Sequence, residues 1–151
     1  MSERTTICEL STRSNCAALA EVRAQVRRIT ADEGFDEETV GQIALVVDEA
    51  LANVINHGYE GKEDQPIDLG FFRVHGEAGL GLEITVRDFG RQVDPATIRS
   101  RDLEEVRPGG LGVHIIQSVM DDVRYDRPTD GGMLLTMIRW HNRPSASATS
   151  P

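Results

Sequence analysis

Two apolar stripes at helical spacing lie close together in the first third of the chain, and they restrict the fold more than any other feature. Leu19, Val22, Val26 and Ile29 recur at three- and four-residue steps, with Arg23, Arg27 and Arg28 off the stripe. Ser14 or Asn15 can cap the start of this helix, and Gly34 can stop it. Asp36-Glu37-Glu38 opens the next helix, where acidic side chains suit the positive end of the dipole. Its stripe is Val40, Ile43, Val47, Ala50, Leu51 and Val54, closed by Gly58. Each such face must be buried against something else.

Strand-like segments follow. Ile67 to Val74 and Leu80 to Val86 are joined around Gly76 to Gly79, and Leu82, Ile84 and Val86 alternate with Glu83, Thr85 and Arg87. That alternation predicts one buried face. Thr5 to Leu10 is a short β-prone run, Leu111 to Met120 is helical in pattern, and one helical turn can follow Pro95. Val123-Arg124-Tyr125 and Met133 to Trp140 read as closing strands around Pro128-Thr129-Asp130-Gly131-Gly132. The order predicts an α+β fold with an antiparallel or mixed sheet. A single domain is expected over 1–142, and the Ser/Ala/Thr/Pro-rich stretch 143–151 reads as a disordered tail.

The chain has 151 residues, long enough for a real core in one domain. Its formal net charge of −9 argues against direct nucleic-acid binding, which needs a basic face. Cys8 and Cys16 are too few for a disulfide framework and fit a reducing compartment. No apolar signal region opens the sequence and no run is long enough to span a membrane, so a cytoplasmic protein is expected.

With Glu49 at zero on a helical wheel, Gln42 falls at about +20°, Asn53 at about +40°, Asn56 at about −20° and His57 at about +80°. These residues form a polar seam on an otherwise apolar helix. A solvated face is one reading. Against it, the seam is amide and carboxylate without the Lys or Arg usual on an exposed face. An amide oxygen one turn from a carboxylate suits Mg²⁺ with waters, and the carboxylate could take a proton from a hydroxyl.

Asp88-Phe89-Gly90 follows a β-like run directly. It reads either as an ordinary strand-ending turn or as a carboxylate presented to an exocyclic amine such as that of adenine. Gly109-Gly110-Leu111-Gly112 opens a helical run, where freed backbone N–H groups can face an anion; a flexible linker is the alternative. Neither the P-loop nor the G-x-G-x-x-G pattern is present. Arg107 could pair with a phosphate or lie in solvent.

Taken in order, these segments resemble the nucleotide site of the GHKL ATPase/kinase superfamily. Glu49-x-x-x-Asn53 resembles its N box, Asp88-x-Gly90 its first glycine box and Gly110-x-Gly112 its second. "VVDEALANVINHGYE", "ITVRDFG" and "GGLGVHIIQSVMDDVRY" are similar to the small anti-sigma factor serine kinases, and the likeness runs from about Thr5 to Trp140. The resemblance implies a Bergerat-type two-layer α/β sandwich, with helices on one face of a mixed, mostly antiparallel sheet. It implies ATP and Mg²⁺ as cofactors, with Glu49 as general base and Asn53 as the Mg²⁺ ligand. Asp88 would read adenine, with Gly90 a further nucleotide contact. Arg107, Gly110, Leu111 and Gly112 would cradle phosphates. His57 and Thr136 are further candidate contacts, the latter because the family often has a Thr near the adenine in this late strand.

One departure stands out: the first glycine box commonly ends in Gly, and here that position is Gln92. The serine-kinase branch often relaxes it too. The implied activity is transfer of phosphate from ATP to a Ser or Thr of a STAS-domain anti-sigma antagonist, combined with sequestration of a sigma factor. A homodimer is implied as well, with the β-prone N-terminus and first helix as its interface. Two alternatives remain open: an ATP-binding sequestering module without transfer, and a stand-alone histidine-kinase ATPase domain. The second finds no phospho-accepting His helix upstream of the domain.

Overall fold

The computed structural model describes residues 3–92, 94 and 111–143, of which 111–113 by backbone alone. Its elements run β1 (Glu3–Arg13), α1 (Cys16–Asp32), α2 (Glu37–Asn53), a π-helical turn (Val54–Gly58), β2 (Pro66–Gly76), β3 (Gly79–Asp88), α3 (Leu111–Val119), β4 (Asp122–Asp126) and β5 (Leu134–Trp140). The strands form one five-stranded sheet in the order β1-β2-β3-β5-β4. Every pairing is antiparallel, so the parallel pair that a mixed sheet allows is absent among the described residues.

The apolar stripes become the core as the spacing requires. Val22, Val26 and Ile29 of α1 and Ile43, Val47, Ala50 and Leu51 of α2 bury against Ile67, Leu69 and Phe71 of β2. Leu82, Ile84 and Val86 of β3 and Leu135 and Met137 of β5 complete that face. The buried side of α2 is wider than the stripe predicts, taking in Ala44 and Val46, because α2 contacts α1 on one side and α3 on the other.

Local chemistry marks the helix ends. The Asn15 side chain accepts from the Ala18 N–H at 2.9 Å, and Asp36 accepts from the Thr39 N–H at 2.8 Å. Gly34 takes φ +94° after α1, a conformation that side chains disfavour. Arg73 of β2 then holds Glu33 through two bonds of 2.8 Å, tying the end of α1 to the sheet. That guanidinium keeps the Glu33 carboxyl below its ordinary value.

β1 is longer than the Thr5–Leu10 run read from the sequence. It is an edge strand whose half-buried side from Cys8 onward carries Cys8, Leu10 and Thr12, and its length is set by pairing along β2 from Glu3 opposite His75 to Arg13 opposite Pro66. The late elements match their predicted positions to within a residue or so: α3 ends at Val119, and β5 begins at Leu134. No helix of the described residues is long and apolar enough to cross a membrane.

Neighbouring residues on α2 test its orientation. Ile43 is fully buried, so Ile43→Ala should destabilise the fold by about 2–5 kcal/mol. Leu45 is 43 % exposed, and Leu45→Ala should stay within about 0.5 kcal/mol. Urea midpoints at unchanged m-value read both effects.

Candidate functional site

The polar seam on α2 survives in part. Gln42, Glu49 and Asn53 are half-buried, and the side chains of Glu49 and Asn53 make no hydrogen bond or ion pair among the described residues. Directly after Asn53 the winding loosens into the π-helical turn, with the Tyr59 N–H bonding the Val54 carbonyl at 3.0 Å. Such turns often occur at functional sites. The wheel of an ideal helix therefore stops applying at Asn53. Asn56 is exposed and borders the groove between α1 and α2 with Leu19, Arg23 and Asp48, instead of continuing the seam. His57 is half-buried, and its carbonyl accepts from Arg91 Nε at 2.8 Å.

Asp88 ends β3 in the same alternation as Leu82, Ile84 and Val86, which puts it on the helix-facing side of the sheet. It is only 2 % exposed. Its Oδ1 accepts from the Gly90 N–H at 3.0 Å and from the Met133 N–H at 3.3 Å. No described residue bonds Oδ2, so one carboxylate oxygen stays available to an outside donor. Gly58, at the end of the π-helical turn, lies against this carboxylate: a Cβ there would meet Oδ1 at 3.4 Å and Oδ2 at 3.5 Å. Those are ordinary contacts; Gly90 is the constrained one, since a Cβ on it would strike the Gly58 carbonyl. Gly132, at φ +72°, leaves equally little room beside the Asp88 carbonyl.

Several bonds hold this strand end. The Asp88 N–H bonds the Met133 carbonyl at 3.0 Å, and the Arg91 N–H bonds the Gly58 carbonyl at 3.0 Å. Arg87 donates to the Asp88 carbonyl at 3.0 Å and to Asp130 and the Gly131 carbonyl at 3.0 and 2.9 Å. The Tyr59 hydroxyl accepts from the Phe89 N–H at 2.7 Å. Burial pushes the Asp88 carboxyl above its ordinary value, against the pull of the Gly90 and Met133 N–H groups and of Arg87.

Thr136 does not join this site. Its neighbours Leu135 and Met137 face the helices, so Thr136 faces the other side of the sheet, opposite Thr85 in register and across from Asp88's side. The β5-side residue beside Asp88 is Met133, whose backbone holds the carboxylate. Two residues of direct consequence, Tyr59 and Met133, carry no sequence signal, because their roles arise from hydrogen bonds across the fold. Leu111 and Gly112 open α3 as expected. Arg107 and Gly110 lie outside the described residues.

A raised carboxylate pKa in the folded state weakens folding once the group ionises. The stability is full below the ordinary carboxylate value, falls as pH rises through the window up to the raised value, and stays lowered above it. Asp88→Asn keeps the oxygen that accepts from Gly90 and Met133 and removes that ionisation. The variant should therefore match or exceed the original Tm at pH 7–8 and lose the advantage in acid, as thermal melts across pH would read.

The chain is similar to known proteins over most of its length. Residues 12–139 match the family described as the histidine kinase-like ATPase domain. The protein named Serine-protein kinase RsbW from Oceanobacillus iheyensis is 28 % identical over 117 residues, covering 71 % of this chain and 69 % of its own. Its namesake from Listeria monocytogenes is 29 % identical over 130 residues, covering 80 % and 78 %. That from Bacillus pumilus is 24 % identical over 153 residues, covering 95 % and 91 %. Among solved structures, the SiaB-SiaC complex from Pseudomonas aeruginosa contains a chain of similar fold, with TM-score 0.57, 12 % identity and 89 % of each chain covered. Matched over most of its length, with an Asp-x-Gly turn packed against the end of its Asn-bearing helix, the chain belongs to the histidine kinase-like ATPase family.

Proposed function

We propose that the chain is an ATP-dependent serine/threonine-protein kinase and anti-sigma factor, acting in the cytoplasm. Its phosphate acceptor would be a STAS-type anti-sigma antagonist, and its second partner a sequestered sigma factor. The observation that carries the nucleotide reading is the Asp88 carboxylate. Buried, held through Oδ1 and open at Oδ2, it suits the 6-amino group of adenine, a donor that can replace the water a carboxylate otherwise needs. The relatives named as serine-protein kinases support the choice of reaction. The net charge of −9 suits a partner with basic surfaces.

The residues present fit Mg²⁺ in the way that ion is usually held, by one or two protein oxygens with phosphates and waters. Asn53 would supply the amide oxygen, and its half-buried side chain has no competing bond among the described residues. Bound there, Mg²⁺ would neutralise charge on the triphosphate. Glu49, one turn earlier, would accept the proton from the acceptor Ser or Thr hydroxyl as its oxygen bonds the γ-phosphorus and ADP departs. The backbone N–H groups opening α3 would face the phosphates, Gly112 leaving them uncovered. Arg107 and Gly110 are proposed for the same cradle.

Two substitutions separate binding from transfer. Glu49→Gln should lower phosphate transfer from labelled ATP to the antagonist by about 10²–10⁴-fold while leaving ATP affinity nearly unchanged. Transfer at the original rate would remove Glu49 as the base. Asn53→Ala should weaken ATP binding in the presence of Mg²⁺, and an unaltered nucleotide Kd in titration calorimetry would count against the metal role. Phosphate appearing on a histidine of the chain itself would point to histidine-kinase chemistry.

A further inference from the structure

Tyr59 stands outside the motifs that carry the proposed function, yet its hydroxyl sits at the junction those motifs depend on. The β2–β3 ladder ends with Ile67 opposite Asp88. The next facing residues are Pro66 and Phe89, and they do not bond each other. Instead the Tyr59 hydroxyl lies between them, accepting from the Phe89 N–H at 2.7 Å and donating to the Pro66 carbonyl at 2.5 Å. It occupies the place of the ladder's next N–H···O=C bond.

We infer that Tyr59 is a positioning residue for base selectivity: its hydroxyl, wedged between Pro66 and Phe89, holds the Asp88 carboxylate where it can discriminate the 6-amino group of a purine. The inference rests on the reading of Asp88 as the adenine contact. Three observations support the wedge as a positioning device. Tyr59 is 6 % exposed, so water does not readily replace the phenol. Burial also raises the phenol above its ordinary value, so the group stays protonated and serves as donor and acceptor at once. The turn beyond Phe89 is then bonded to the end of the π-helical segment through Arg91 N–H to Gly58 O. The hydroxyl therefore decides whether the chain after Asp88 stays zipped to β2 or leaves it to pack on Gly58 and Tyr59, where the Gly90 backbone lies so close to the Tyr59 ring that a Cβ would meet it at 3.0 Å. Without the hydroxyl, Phe89 and Pro66 can close directly, and Asp88 Oδ1 loses the fixed Gly90 N–H that orients it.

The test compares Kd values for ATP and for purine riboside triphosphate, which lacks the 6-amino group, in the original chain, Tyr59→Phe and Asp88→Asn. Tyr59→Phe should reduce the preference for ATP by about tenfold, with affinity for the amine-free nucleotide little changed. A loss of stability alone would weaken both nucleotides alike and leave their ratio intact. If Asp88→Asn abolishes the preference while Tyr59→Phe keeps it in full, the base reading stands and the role of Tyr59 is overturned. If Asp88→Asn keeps it too, the base reading fails and the inference falls with it. Should Tyr59→Phe not fold, the Phe89 amide of the original chain decides. Slow hydrogen exchange, slowed further by ATP, supports the wedge, and exchange at the rate of an unbonded loop amide overturns it.

Discussion

A carboxylate almost sealed from water is costly unless neighbouring donors replace its hydration. At Asp88 those donors are backbone N–H groups of Gly90 and Met133, which reach one oxygen only. The surroundings are built to let them reach it. Gly90 removes a side chain that would strike the Gly58 carbonyl and keep the turn after β3 away from the π-helical segment, and Gly132 lets the turn before β5 fold beneath the Asp88 carbonyl. Arg87 then fastens that turn through Asp130 and Gly131. The result is a carboxylate half satisfied by its own chain, and a ligand amine is what would satisfy the rest.

The layered fold explains why this point can be held so firmly. α2 is the middle helix, flanked by α1 and α3 and backed by the sheet, so its apolar side is wide and its position is over-determined. Its polar seam is short because the π-helical turn re-aims everything after Asn53. That re-aiming brings Gly58 to Asp88 and Tyr59 to the gap between β2 and β3. One irregular turn thus links the residues proposed for phosphate chemistry to the residue proposed for base recognition. The opposite face of the sheet, with Thr85 and Thr136 paired in register, takes no part in that site.

Periodicity and punctuation were sufficient for most of the architecture. Apolar residues at helical or alternating spacing can be buried in only one way, so α1, α2, β2, β3 and β5 were legible from Leu19 to Trp140. Asn15, Asp36 and Gly34 marked helix ends because capping and positive φ are local chemistry. Glu49, Asn53 and Asp88 were legible as candidates for a related reason: polar groups at the border of an apolar pattern break it visibly. β1 beyond Leu10 was hidden, since Ser11, Thr12 and Arg13 carry no apolar alternation and take their strand form by pairing with β2.

What tertiary structure alone decided was the site's inner geometry. Thr136 has the right chemistry in the right strand, but strand parity turns it away from Asp88, and a one-residue step is enough to do so. Asn56 left the seam because the winding changed, which no ideal wheel contains. Tyr59 and Met133 act through hydrogen bonds to residues 30 and 45 positions away. The sequence by itself determined the layers, the helix and strand faces, and the identity of the chemically able residues, because those follow from neighbours along the chain. Only the folded structure decided which face each of them takes and what holds it there, because that depends on strand register and on contacts between distant segments.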